Sequence, residues 1–469
     1  MSEQDTDTSI INVRIVSSAG ISEPVDIFIG DGKISGIHRS GVRKPAGNTT
    51  DGHGMLALPG FVDLHFHAGM GSINSVYDEL KIESRAAVAG GYTYIRSHLI
   101  IGAEGKSGYL KIIDPVIKNA EQVTYADLSF NPMIGTEQQA LELDELIQKG
   151  INAYKIYYNA YQGEEGRKLG IYVDENIDDV VIKALSTAAK YEKTRIIFHA
   201  EDNSVVKYFS MKEKNNNGLD AFSRGRPPLA EVIKINHICN LAKEFNARVH
   251  IAHISSKEAY DTANRYRQQG VNVTMETEPH YLFHDVSQWD SLGVYGKVNP
   301  PLRTPKDREF LIDKLSKRQI DSVSSDVNAL NKHQKMRSGE RHGSIWDASP
   351  GFDNIQMTLP RLVTSFVLKG IMTYETLAYV LSERPASVIG NENKGSISVG
   401  KDADIVLIDP SKSHKASIEG LENVPGLDWN PALGTEYSGW PELVFLRGHN
   451  VYYDSRVQGK NTGKYVYIK

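Results

Sequence analysis

Eight short apolar segments constrain the fold more than any other feature of the chain. "FVDLHFH", "YTYIRS", "ADLSFN", "NAYKIYY", "RIIFHAE", "RVHIAHIS", "VNVTMET" and "IDSVSSD" succeed one another between residues 61 and 326. Longer stretches of helical period, such as "LAEVIKINHICNLAKEFN", separate them. Strands that alternate with helices form parallel sheets, and eight such units predict an α/β fold of the (β/α)8 barrel type.

The two ends of the chain have a different texture. "VDIFIGDGKISGIH" sets a Gly-Asp-Gly turn between two alternating segments, a hairpin signal, and "GSISVGKDADIVLIDP" with "PELVFLRGHNVYYDS" returns to that style near the C-terminus. The expected organisation is a small β-sandwich domain from residues 1–56 and 390–469, with the barrel in residues 57–389. "KEKNNNG" at 212–218 reads as a mobile loop.

A chain of 469 residues is ample for a deep active site. Its 53 basic and 58 acidic side chains, net charge −5, argue against nucleic acid as the main partner. The single cysteine, Cys239, excludes an intrachain disulfide and a thiolate-rich metal cage, and suits a reducing compartment. The start, "MSEQDTDTSIINVRIV", lacks a secretory pattern, and no window approaches the roughly 18 apolar residues of a membrane span. The expectation is a cytoplasmic protein without a membrane partner.

In a barrel strand alternate side chains face inward, and reacting groups collect at the C-terminal ends. On strict alternation His65 and His67 share the inner face with Asp63, while Val62, Leu64 and Phe66 point to the helices. Lys155 alternates with Tyr154 and Ile156, and His199 ends its strand on the face opposite Phe198. His250 and His253, three apart, are expected on opposite faces, with His253 nearer the rim, and Asp326 closes the eighth strand. Four histidines, a lysine and an aspartate therefore converge from strands 1, 4, 5, 6 and 8.

Imidazole nitrogens and carboxylate oxygens are ligands for zinc and similar ions, and the HxH pair is best read as ligating one ion. Two such ions roughly 3.5 to 4 Å apart share a hydroxide and polarise a substrate carbonyl. Taken singly, each signal has a duller meaning: an isolated HxH is more often structural, a lone lysine is usually a surface charge, and an aspartate after "SVSS" is often a helix cap. Joint placement at five strand ends is what favours a site. His53, His237, His280, His284, His333 and His342 lack such an arrangement and read as structural or surface histidines.

With "LPGFVDLHFH", "NAYKIYY", "FHAED", "RPPLAEVIKI", "VHIAHISS", "ETEPHYL", "KVNPPLRT", "SSD" and "KGSISVGKDADIVLIDP" in order, the chain resembles the amidohydrolase superfamily over nearly its whole length. Within it, the resemblance is to cyclic amidohydrolases: dihydropyrimidinases and hydantoinases, with allantoinases and dihydroorotases close by. It implies that His65 and His67 bind the more buried of two divalent ions, expected to be zinc, that His199 and His253 bind the second, and that Asp326 contacts the first. It also implies that Lys155 is an N6-carboxylysine bridging both ions, that a bridging hydroxide attacks the ring carbonyl, and that Asp326 relays the proton to the leaving nitrogen. A homo-oligomer, often a tetramer, is implied as well.

Departures from the family pattern bear on the substrate. Dihydroorotase-like enzymes carry an arginine two residues after HxH, where this chain has Gly69, whereas "KVNPPLR" is dihydroorotase-like and makes Asn299 a substrate contact. The hydantoinase oxyanion tyrosine falls on Ala160 here, so Tyr161 is assigned that role and Tyr158 a place beside the substrate. After the aspartate the family commonly has histidine, and this chain has "DVNAL". The leading expectation is metal-dependent hydrolysis of a cyclic amide or imide C–N bond. Allantoinase- or dihydroorotase-type activity, a non-catalytic scaffold, and hydrolysis of a linear amide on the same barrel stay open.

Overall fold

The turn at Asp31 and Gly32 takes positive φ at both residues, +52° and +75°, which matches the twist of the two strands it joins. These are Val25–Gly30 and Lys33–Arg39, paired antiparallel in a computed structural model that describes residues 8–68, 76–100, 107–158, 171–336, 340–422 and 427–469. Segments from both chain ends enter the same ten-stranded sheet: Thr8–Ser17 pairs with Val25–Gly30 on one side and with Leu56–Pro59 on the other. Leu56–Pro59 in turn pairs with Ile405–Ile408. Ile10, Val13, Ile27, Ile29, Ala57, Ile405, Leu407 and Phe445 give that layer its own buried core.

The barrel strands, among the described residues, are β1 (Phe61–His67), β2 (Tyr92–Leu99), β3 (Asp127–Pro132), β4 (Ala153–Ile156), β5 (Arg195–Phe198), β6 (Val249–Ile251), β7 (Val273–Thr277) and β8 (Ser322–Val323). All neighbouring pairs are parallel, in two runs, β1 to β3 and β4 to β8. The runs join at a Met133–Lys155 bridge and a Phe66–Val327 bridge, with Ile134 N donating to Lys155 O at 2.8 Å and Asp326 N to His65 O at 2.9 Å. Eight parallel strands with helices between them make the (β/α)8 barrel that the alternation predicts.

Helices follow their local signals. Pro228–Phe245 begins with proline at its first turn and ends on Asn246, whose φ of +53° stops the helix. "KEKNNNG", expected as a mobile loop, is tied down: the Asn217 amide bonds Gly343 O at 3.1 Å and accepts from Ile345 N at 2.9 Å. The C-terminal tail departs from the small layer. Tyr465 bridges Leu128 of β3, Val466 N donates to Leu128 O at 2.7 Å, and Ile468 N donates to Gly150 O just before β4.

Strict alternation fails in two places. The register between β1 and β2 slips between Asp63 and Phe66, so these two residues, three apart, both pair with the Ile95/Ser97 face of β2. This β-bulge sends Val62 and Leu64 into a cluster with Tyr94, Ala386, Val388 and Ile389, away from the helix-side core that holds Phe66. Asp63 therefore does not share the face of His65 and His67. The second failure concerns His250 and His253: β6 ends at Ile251 and His253 has φ +42°, so the backbone turns after the strand. Both histidines consequently reach the barrel interior, His250 lying 3.2 Å from Glu276 and His253 with its ring 5.3 Å from that of His65.

Candidate active site

Lys155 is fully buried on β4, with its Nζ 3.5 Å from His65 Nε2. The same His65 nitrogen lies 3.2 Å from Asp326 Oδ1, and His67 Nε2 lies 3.0 Å from that oxygen. On the other side the His199 and His253 rings stand 4.4 Å apart. The structure thus brings together His65, His67, Lys155, His199, His253 and Asp326 at the C-terminal ends of their strands.

Two backbone features aim these groups. Asp326 has φ +46°, a left-handed conformation that costs energy in a non-glycine residue and here re-aims the side chain after the two-residue strand β8. The turn is braced because Asp63 accepts from Ser325 N at 3.0 Å and Ser325 Oγ at 2.5 Å. Next, Ser256 caps the helix Lys257–Gln268, accepting from Ala259 N, so the chain leaves His253 directly into a fixed helix.

Protonation states follow from partners. Burial holds His65 and His253 far below the usual imidazole range, so both rings are neutral. His65 Nδ1 meets Glu276 Oε1 at 2.7 Å, and His199 Nε2 meets Glu201 Oε2 at 2.7 Å. Burial opposes charge on Glu201, but Arg226, which donates to its two oxygens at 3.1 and 2.5 Å, outweighs it and holds the carboxyl below its usual range. A carboxylate only accepts, so His65 carries its proton on Nδ1 and His199 on Nε2, and the other nitrogen of each ring keeps its lone pair. Burial also lowers the Lys155 amine to about 8, despite Glu276, Asp326 and Glu278.

This donor set fits divalent cations. The His65 Nε2 lone pair faces a carboxylate oxygen at 3.2 Å, a repulsive contact unless a cation lies between them. Carboxylates holding the outer nitrogens of His65 and His199 are the usual support for metal-ligating imidazoles.

The amidohydrolase family model matches residues 56–451, most of the chain. The chain belongs to the amidohydrolase family. A D-hydantoinase of Rhizobium radiobacter is 30% identical over 94% of this chain and 94% of its own length. A dihydroorotase of Halobacterium salinarum is 28% identical over 91% of this chain and 95% of its own. Among solved structures, the L-hydantoinase of Arthrobacter aurescens superposes with a TM-score of 0.88 at 25% identity, covering 98% of this chain and all of that one.

In this amidohydrolase a cleft lies above the donor set, with Tyr157, Val298, Asn299, Asn328, Pro350 and Gly351 in the wall. Asn299, expected as a substrate contact, lines this cleft. Tyr158 does not: its hydroxyl engages Asp178 and His237, the latter at 2.9 Å, and Lys234 covers its ring at 3.9 Å, so it turns to the outer helices. Tyr157 is the neighbouring tyrosine in the cleft wall. Tyr161, Ala160 and Gly69 lie outside the described residues.

Sequence reasoning missed several buried groups. His98 on β2 stands with its ring 4.5 Å from His65 and 5.0 Å from His67. The signal was the alternation Tyr94, Arg96, His98, cut short by ending the strand at Ser97. Glu276 and Glu278 were visible in "ETEPHYL" as two acids of period 2 at the end of β7. Both are fully buried, and burial with Glu276 nearby pushes Glu278 well above the usual carboxylate range.

Proposed function

We propose that this amidohydrolase opens uncharged cyclic amides or imides, such as hydantoins and dihydropyrimidines, by hydrolysing a ring C–N bond. The observation that carries the reading is the convergence of four histidines, a lysine and an aspartate below one cleft. Relatives named hydantoinase, dihydroorotase and allantoinase support the cyclic class.

His65, His67 and Asp326 would hold one ion, His199 and His253 a second, and Lys155, as its carbamate, both. Two divalent ions held there, zinc in this reading, would make a hydroxide available near neutral pH and polarise the ring carbonyl. Asp326 accepts the proton of the attacking water and delivers it to the departing ring nitrogen. One C–O bond forms, one C–N bond breaks, and the product is a ring-opened acid. The buried amine of Lys155, lowered to about 8, is suited to capture carbon dioxide. The reading includes a cytoplasmic homotetramer, which light scattering and fractionation would test.

Preference for uncharged rings follows from the cleft wall, in which the described residues are aromatic, aliphatic and amide. A substrate carboxylate buried there without a cation is costly. Asn299 favours a second reading, dihydroorotase-type activity. One experiment separates them: purified protein with added zinc, manganese or cobalt, assayed on hydantoins, dihydropyrimidines, allantoin and dihydroorotate. Highest catalytic efficiency is expected on an uncharged ring. Dihydroorotate as best substrate would overturn the preference, and absence of both stoichiometric metal and turnover would favour a scaffold.

A further inference from the structure

Under the donor set runs a chain of hydrogen bonds whose direction is fully determined. Arg96 is entirely buried on β2, and a guanidinium can only donate. Its Nε reaches Asn131 Oδ1 at 2.8 Å, and its Nη1 reaches the Tyr94 hydroxyl at 3.1 Å. Tyr94 donates onward to Ser129 Oγ at 2.6 Å, and Ser129 to Val466 O at 2.5 Å, in the C-terminal tail.

The other branch sets a tautomer. Asn131 Nδ2 lies 3.3 Å from Leu64 O, an acceptor only, and 3.3 Å from His98 Nδ1. The Asn131 amide is therefore oriented twice over, by a donor at its oxygen and an acceptor at its nitrogen. His98 Nδ1 must accept, so the proton of the neutral ring sits on Nε2.

The His98 Nε2–H is buried and has no acceptor among the described protein atoms. One ring nitrogen each of His65, His67 and His98 lies within 4.8 Å of the others, which places the His98 ring at the edge of the site. A nitrogen that carries a proton cannot ligate a cation, so His98 is not a third metal ligand. A buried N–H needs an acceptor, and Arg96 beneath it contacts no carboxylate among the described residues. Both features call for an anionic oxygen.

We propose that His98, its tautomer set by Arg96 through Asn131, is a positioning residue that donates through Nε2 to a carbamate oxygen on Lys155. The inference rests on the reading of Lys155 as a carboxylated lysine. Carboxylation forms an N–C bond between the neutral amine and carbon dioxide and releases one proton from nitrogen to solvent. The resulting anion then faces a fixed donor as well as the ions.

The test uses full-length protein stripped of metal and reconstituted with zinc across a series of 13C-bicarbonate concentrations. It reads zinc uptake and the 13C carbamate resonance, neither of which requires turnover. A glutamine amide nitrogen can occupy the place of Nε2, whereas an asparagine amide is too short. His98→Gln is therefore expected to follow wild type, while His98→Asn needs about tenfold more bicarbonate for half-maximal zinc uptake. Asn131→Asp keeps His98 but accepts from Nδ1–H, which strips Nε2 of its proton, and should show the same loss even if His98→Asn fails to fold. Unchanged bicarbonate dependence in both His98→Asn and Asn131→Asp would overturn the proposal. So would an intact 13C signal with half the zinc lost, because His98 would then be a ligand. A wild-type protein that takes up zinc without any carbamate resonance would instead remove the reading of Lys155 itself.

Discussion

Lys155 and Lys394 are both buried, and their surroundings push them in opposite directions. Lys394 lies 2.6 Å from Asp127 at the start of β3, 2.7 Å from Asp404 and 3.1 Å from Asp402. Burial alone would lower its amine, and the three carboxylates outweigh burial and hold it above the usual lysine range. Lys155 instead meets the His65 ring nitrogen at 3.5 Å and the face of Tyr157 at 5.1 Å, with acids acting from farther off, and burial wins. One site is a closed ion cluster that ties the barrel to the small layer. The other holds an amine with a lowered pKa among imidazoles. What sets the direction at these two lysines is thus the nearest shell of partners and not depth of burial.

The largest expected effect is at Lys155. Lys155→Ala should lose metal, read by elemental analysis, and activity to background, and a short carboxylic acid such as propionate should partly restore both. Retention of metal by Lys155→Ala would break the comparison at its chemical end. Asp326→Asn comes next: the amide can occupy the site but cannot relay a proton, so kcat should fall by about 10² to 10⁴. A near-normal rate would move the proton relay elsewhere.

Lys394→Met removes the cation that Asp127, Asp402 and Asp404 share and leaves the buried Asp127 and Asp404 carboxylates facing each other, with Arg447 still on Asp127 and Lys33 still on Asp402. A loss of about 3–5 kcal/mol in urea unfolding is expected, with zinc uptake by the folded protein unchanged. A loss below about 1 kcal/mol, the value of an exposed pair, would show that the cluster contributes no special stability.

The two lysines should also differ in sign with pH. Lys394 has a raised folded-state pKa, so its contribution is fully present below the unfolded value of about 10.4 and is lost only as pH rises through the higher folded one. Lys155 in metal-free protein is lowered to about 8, so it destabilises at neutral pH, and stability recovers between about 8 and 10.4. Metal-free Lys155→Met should therefore be more stable than wild type at neutral pH, by an amount on the order of 3 kcal/mol that fades in that window. Equal stability of the two proteins at neutral pH would show that the amine is not depressed.

The smallest effect is a control on the tyrosines. Tyr158→Phe should change kcat/KM by no more than about twofold, since the hydroxyl faces Asp178 and His237 on the outer side. A drop of about 10² or more would return Tyr158 to the substrate.

Much of the molecule was legible in the residues. Short apolar runs that alternate with helical segments dictate parallel strands under helices, because each helix must bury one face and each strand two. Ligand-type residues at strand ends are then brought to one rim by the closure of the barrel, so His65, His67, Lys155, His199, His253 and Asp326 could be named in advance. The hairpin at Asp31 and Gly32 was equally local.

Tertiary structure alone decided which way side chains point where the backbone departs from its period. A one-residue slip against β2 turned Asp63 outward and Leu64 inward, and a left-handed turn brought His253 to the same interior as His250. Neither follows from spacing, because a bulge is set by the register of the partner strand. The tautomers of His65, His98 and His199 likewise depend on Glu276, Asn131 and Glu201, two of them on other strands. Residue types and their order determined that cations could be held here. The packing of one strand against the next decided which nitrogen of each ring faces them, since a proton's position is a property of the hydrogen-bond network and not of the residue.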